Sequence, residues 1–222
     1  MRFQIWTADS LALVGGYLRT PSGAQPRPIA LLLHDRGVAG GSLASLGGTF
    51  QALGVEVLLP DLRGEGQSRV SVAGPVPPAP RWDGPARALL ARDLEALFAF
   101  VDQQPGLAGR PWLLAAEGEA TALALELLAG PRGGRFAGAL LLSPLAPADL
   151  DSQAARAPQP VLLAVCDQDA ESLAAARALA AAQPGPARRL ERLDCRSRGA
   201  WLLAARPALP AEFLRWLAGE QP

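Results

Sequence analysis

Few side chains in this chain are suited to chemistry, and their positions limit what they can do. There is one histidine, His34, which follows the apolar run Ile29 to Leu33 and precedes Asp35, Arg36 and Gly37. Imidazole exchanges protons near neutral pH, so a general-base mechanism of the ordinary kind has to use His34. A nucleophilic hydroxyl is best presented where a strand turns sharply into a helix, because that turn exposes a side chain at the end of the sheet. The chain has such a turn: the apolar stretch Trp112 to Ala116 passes through Glu117-Gly118-Glu119 into an Ala/Leu-rich stretch ending near Leu128. The apex is Gly118, which has no side chain, and carboxylates flank it. Further along, Asp169 follows the apolar run ending at Val165, and Arg198-Gly199 precedes the last helical stretch. A guanidinium stays protonated at ordinary pH, so Arg198 can pair with a carboxylate but cannot accept a proton.

Two serines mimic a nucleophile. Ser45-Leu46-Gly47-Gly48 has no apolar strand before it and falls inside an expected helix, residues 42 to 53. Ser143 follows a strand, but Pro144 comes next and removes the backbone donor that an oxyanion would need, so Ser143 reads as a loop hydroxyl. No phosphate-binding glycine loop or cofactor signature occurs, and one histidine with two distant thiols is too small a ligand set for a metal. No cofactor and no metal are expected.

These residues need a scaffold, and composition bounds it. The 222 residues are half apolar, and 21 basic residues balance 21 acidic ones. That suits one globular domain over 1–222 and gives no reason to expect nucleic acid or an anionic membrane as partner. Every basic residue is arginine, which with heavy Ala, Leu, Gly and Pro usage reads as a bacterial-like, GC-rich composition. Residues Met1 to Asp9 lack an apolar core of signal-peptide length and no stretch reaches the roughly 18 apolar residues of a membrane span, so a cytoplasmic location with reduced thiols is expected.

Along the chain, Arg2 to Thr7 and Leu11 to Arg19 suit a hairpin, followed by a loop from Thr20 to Pro28. Ile29–Leu33, Val55–Leu59, Trp112–Ala116, Phe136–Leu142 and Pro160–Val165 are near-continuous apolar runs, as expected of parallel strands covered on both faces. Arg189 to Leu193 is a further expected strand. Leu90, Leu94, Leu97, Phe98 and Val101 share one face of an expected helix, and further helices are expected over 172–182 and 210–218. Residues 69–85, rich in Pro and Gly, read as a surface excursion. Strands alternating with helices imply an α/β fold with a doubly wound, mostly parallel sheet, preceded by an antiparallel N-terminal hairpin.

With these segments in this order, the chain resembles the α/β-hydrolase superfamily, in its compact branch without a cap domain, similar to dienelactone hydrolases and small esterases. Leu-Leu-Leu-His34-Asp-Arg-Gly37 resembles the strand-end H-G-x-G that supplies an oxyanion donor. Pro60-Asp-Leu-Arg-Gly-Glu-Gly-Gln-Ser68 resembles the D-x-R-G-x-G-x-S loop, the most specific motif present, and Leu-Leu-Leu-Ser143-Pro144 resembles the strand after the elbow helix. The resemblance implies that Gly118, Asp169 and Arg198 stand at the nucleophile, acid and base positions of a catalytic triad, with His34, Asp35, Arg36, Glu117 and Glu119 lining the oxyanion side. Only the acid is retained. The resemblance implies a structural role for His34, and Asp61 and Arg63 read as loop-locking.

The expected function is therefore a hydrolase-fold protein that has lost serine-hydrolase activity and binds a small molecule or a protein partner. Arg198 is expected to pair with Asp169 or Glu117. The resemblance also makes Cys166 and Cys195 close neighbouring strands, which allows a reactive thiol, a disulfide or a metal pair; the reading taken is two partly buried free thiols. The alternative function is a hydrolase with an unrecognised nucleophile, Cys166 or Cys195. Trp82 and Trp201 are candidates for a pocket mouth, Trp112 and Trp216 for packing.

Overall fold

The computed structural model describes residues 1–20, 28–150, 152, 154–183 and 187–220. The expected loop from Thr20 to Pro28 lies mostly outside the described residues. The chain forms two compact units, Met1–Pro111 and Trp112–Pro222.

The first unit opens with the expected hairpin. β1 (Arg2–Trp6) pairs antiparallel with β2 (Ala12–Leu18), in register from Arg2 opposite Gly16 to Trp6 opposite Ala12. β2 continues antiparallel onto β4 (Glu56–Pro60), and β4 runs parallel to β3 (Ile29–Leu33). Every residue of β3 and β4 is buried, including Glu56. The crossover between them is a short 3-10 turn, Gly40–Leu43, leading into α1 (Ala44–Ala52), which packs on β4. Ser45 lies within that helix, as expected. The excursion after β4 holds a minimal antiparallel pair, β5 (Val70–Ser71) and β6 (Gly74–Pro75).

α2 (Gly84–Asp102) begins inside the stretch 69–85, expected as a surface excursion. Asp83 caps it by accepting the Ala86 N–H at 3.2 Å, and Pro85 occupies the first turn, where no N–H is needed. Leu90, Leu94, Leu97, Phe98 and Val101 are all buried, each contributing about 1.5–3 kcal/mol relative to exposure. Arg87 and Asp93 are buried with them, which apolar periodicity does not foresee.

The second unit is wholly parallel. β7 (Trp112–Glu117), β8 (Phe136–Leu142), β9 (Val161–Cys166) and β10 (Arg188–Leu193) lie side by side in that order. β7 and β9 are buried at every residue, so both faces are covered. α3 (Ala120–Ala129) packs on β7 and β8, α4 (Ala170–Ala182) on β9 and β10, and α5 (Leu209–Leu217) on β8. β10 differs from the other strands: its Arg188-Arg-Leu-Glu-Arg-Leu sequence is half-exposed, as suits an edge protected by charge. Arg188 itself is buried and donates to the carbonyls of Gln159 and Ala157, both at 2.8 Å. Among the described residues, no helix is long and apolar enough to cross a membrane.

Candidate functional site

The strands of the second unit end along one edge. Glu117 is in register with Leu142, Leu142 with Ala164, and Cys166 with Leu193. Gly118, Ser143 and residues 167–169 therefore leave the sheet together, and the segment after β10 continues from the same edge.

At the end of β7 the backbone turns through Gly118 with φ +57°. That left-handed conformation is strained for most side chains and free for glycine. The turn is held by hydrogen bonds: Gly118 N–H donates to the Leu142 carbonyl at 3.2 Å, and the Gly118 carbonyl accepts the Thr121 hydroxyl at 2.7 Å. Strand-to-helix geometry is kept at a position with no side chain.

Arg198 reaches back to the segment after β9. One guanidinium nitrogen donates to Asp169 Oδ1 at 2.6 Å and to Glu171 Oε2 at 3.1 Å. Those bonds, that from Glu171 first, hold the guanidinium above its ordinary pKa against the opposing effect of burial. The expected pairing with Asp169 is thus present. Asp169 is almost fully buried and also accepts the Ser172 N–H as the cap of α4, while its Oδ2 is buried without a hydrogen-bond partner among the described residues.

The expected alternative, Arg198 with Glu117, is replaced by another contact. Glu117 Oε2 accepts the Ala200 N–H at 2.8 Å, and Ser143 Oγ accepts the Gly199 N–H at 3.0 Å. The two side chains take consecutive N–H groups at the start of the 3-10 helix Gly199–Ala204. Ser143 is not a passive loop hydroxyl: it is buried in a left-handed backbone conformation, φ +46°, with its oxygen occupied. Gly199 has to be glycine, because φ is +57° and a Cβ would run into Glu117 Oε2.

A covalent tie adds to these. Cys166 and Cys195 form a disulfide, with Cα atoms 5.0 Å apart. This corrects the expectation of two free, reduced thiols, and it also removes the thiol that the alternative of a nucleophilic Cys166 or Cys195 requires. The cause is the parallel register: Cys166 lies opposite Leu193, which puts Cys195 just past the end of the neighbouring strand.

In the first unit, His34 is fully buried and both ring nitrogens are engaged. Leu62 N–H donates to Nε2 at 2.8 Å, so Nδ1 carries the proton and donates it to the Asp35 carbonyl at 2.7 Å. That is a structural imidazole. Asp35 Oδ1 accepts the Arg36 N–H at 2.9 Å, and Arg36 is exposed. Asp61 accepts from Gly40 N–H and Gln67 N–H, both at 2.8 Å, closing the loop after β4. Arg63 forks onto buried Asp93 at 2.8 and 2.5 Å and reaches Asp9 at 2.8 Å. Both are loop-locking, as expected. Trp112 packs in the core and Trp82 is buried beside His34, ring centroids 6.2 Å apart, whereas Trp201 is 80% exposed. Glu119 is half-buried at the start of α3.

Glu171 and the contact of the Gly199 N–H with Ser143 were missed from the sequence, although Asp169-Ala-Glu-Ser172 has the form of a helix cap with an acid in the first turn. Among the described residues, no cluster of three or more His, Cys, Asp or Glu is placed to hold a metal. Chemically, the edge of the second unit carries the Arg198 ion pairs and the acceptors Glu117 and Ser143, each bonded to a backbone N–H. Arg198 stays protonated there and cannot relay a proton.

No protein-family model and no curated protein matches the sequence. Solved structures do match it along its whole length. Dienelactone hydrolase from Anabaena variabilis superposes with a TM-score of 0.75 at 18% identity, covering 99% of this chain and 96% of that one. A thermophilic esterase from Thermogutta terrifontis gives 0.69 at 15% identity, with 100% of both chains covered. The α/β hydrolase GrgF from Penicillium sp. sh18 gives 0.74 at 13%, covering 99% and 98%. Together with the strand order and crossovers within each unit, these likenesses establish that the chain has the α/β-hydrolase fold.

Proposed function

We propose that this protein is a non-catalytic member of the α/β-hydrolase fold, a pseudoenzyme whose single domain binds a small molecule or a protein. A serine-type hydrolase needs a nucleophile and a base that accepts its proton. Here the nucleophile position is Gly118 and the base position is Arg198. The observation that carries the reading is the state of the segment bearing Arg198: it is tied at four points, by Asp169 and Glu171, by Ser143, by Glu117 and by the disulfide. The carboxylates near the turn add to it, since an oxyanion needs positive potential where its charge develops. No nucleic acid or membrane partner belongs to this reading.

Hydrolysis of short-chain nitrophenyl esters tests it. The purified protein is expected to give the buffer rate. Saturable turnover that co-purifies with the chain and is abolished by substituting one of its own side chains would overturn the proposal. The cytoplasm remains the proposed compartment. Cell fractionation tests it: recovery of the chain with the cytoplasmic fraction supports the proposal, and recovery outside it overturns it.

A further inference from the structure

The first unit holds a preformed cavity under the Pro-rich excursion. Its volume is about 220 Å³, and its walls include Val76, Pro77, Trp82, Leu89 and Leu90, with Arg63 as the charged side chain of the lining. The backbone that carries the walls is held by hydrogen bonds. Trp82 is anchored by its carbonyl, which accepts from Arg87 Nη1 at 2.7 Å; Val76 N–H bonds the Arg69 carbonyl at 2.8 Å, and Arg69 Nε bonds the Gly64 carbonyl at 3.0 Å. Asp83 caps the helix that carries Leu89 and Leu90. A rigid apolar wall needs little reorganisation to accept a ligand.

Charge and size select the occupant. The Arg63 guanidinium is already matched by the carboxylates of Asp93 and Asp9, so it offers an anion no spare charge, and the lining has no carboxylate of its own to hold a cation. The cavity exceeds the roughly 150 Å³ of an apolar cavity that takes up benzene and falls below the roughly 300 Å³ at which drug-sized sites begin. We propose that this cavity is a binding site for a small, uncharged aromatic molecule of one or two fused rings, seated against Trp82. The site lies within the first unit and stands whether or not the residues at Gly118 and Arg198 support turnover.

Indole titrated into nitrogen-15-labelled protein tests this by amide shifts. Saturable shifts concentrated on Arg63 and residues 76–90 are expected, with a dissociation constant on the order of 1 mM or tighter for so small a ligand. The anion indole-3-carboxylate should bind at least tenfold more weakly. Ala86→Trp, which fills the cavity, should weaken indole at least tenfold. Leu89→Glu, at an exposed rim position where folding is not at risk, should weaken it severalfold and decides the matter if Ala86→Trp does not fold. No saturable shift up to the solubility limit, shifts centred elsewhere, equal affinity for the anion, or unchanged affinity in the folded variants would overturn the proposal.

Discussion

Breaking the Cys166–Cys195 bond is expected to destabilise the protein while leaving its native architecture intact. The cross-link closes a loop of 29 residues containing α4 and β10. In the chain-entropy account, closing a loop of that length removes about 12 cal/mol/K from the unfolded ensemble, or about 3.6 kcal/mol at 25 °C. The native state loses little, because β9 and β10 remain paired along their length and Asp167 N–H still bonds the Leu193 carbonyl at 2.8 Å. Cys195→Ser changes the half-exposed partner and leaves buried Cys166 as a small apolar side chain. Urea unfolding of oxidised wild type and of this variant should differ in midpoint by roughly 1–2 M with little change in slope. Thermal unfolding should differ by roughly 7–14 °C. Thiol titration of the unreduced, denatured wild type should find no free thiol. An oxidised wild type and a Cys195→Ser variant that unfold within about 0.5 kcal/mol of each other would refute the argument that this loop closure supports the second unit.

Four further outcomes follow from named contacts. Gly199→Ala forces a Cβ into Glu117 Oε2 at a left-handed φ and should cost about 2–4 kcal/mol in urea unfolding; a loss under 0.5 kcal/mol would show the contact yields freely. Asp93→Ala removes the buried partner of Arg63 and should cost about 3–5 kcal/mol, whereas a neutral result would mean that Asp9 alone suffices. Burial, and then the Glu56 carboxylate that accepts its hydrogen bond, push the Tyr17 hydroxyl from 10.0 up to about 12. The folded state then holds this proton more tightly than the unfolded one, so the contribution is intact below pH 10 and is lost as pH rises towards 12; stability measured across that window should fall more steeply in wild type than in Tyr17→Phe. The double substitution Gly118→Ser with Arg198→His should stay near the buffer rate on nitrophenyl esters, since Glu117 and Glu119 still flank the turn and oppose an oxyanion. Robust turnover would show that the carboxylates do not matter.

How far the sequence could be read depended on which atoms make each contact. β3 and β8 match their expected bounds residue for residue, because continuous apolar runs between polar or glycine-containing segments leave little freedom in where a covered strand begins and ends. α2 was legible from the period of its leucines, but its start was not: Asp83-Gly-Pro85 falls in the stretch read as the Pro-rich excursion, although an Asp cap followed by Pro in the first turn is a helix start. Arg87 and Asp93 were not, since a buried charge announces itself only through its partner, and Arg63 lies 30 residues from Asp93. The disulfide was weighed among other states and passed over: two cysteines do not specify a bond until the register of β9 and β10 brings their Cα atoms within range.

The contacts that define the candidate site were hidden for a further reason. Arg198 with Asp169 joins two side chains and could be anticipated from residue types. The bonds to Gly199 and Ala200 use backbone N–H groups, which every non-proline residue carries, so no residue type marks them. They change the meaning of Glu117. Read from the sequence, it is an acid beside an elbow, unfavourable to an oxyanion. In the structure it is nearly buried and its carboxylate accepts a backbone N–H from the segment that carries Arg198. Removing that acid to make the turn more favourable to catalysis would leave the Ala200 N–H without this acceptor, and loss of a buried hydrogen-bond partner costs about 1–3 kcal/mol. On the proposed reading, the acid that would oppose an oxyanion at this edge therefore also holds the edge together, and placing a serine at 118 and a histidine at 198 does nothing to remove that coupling.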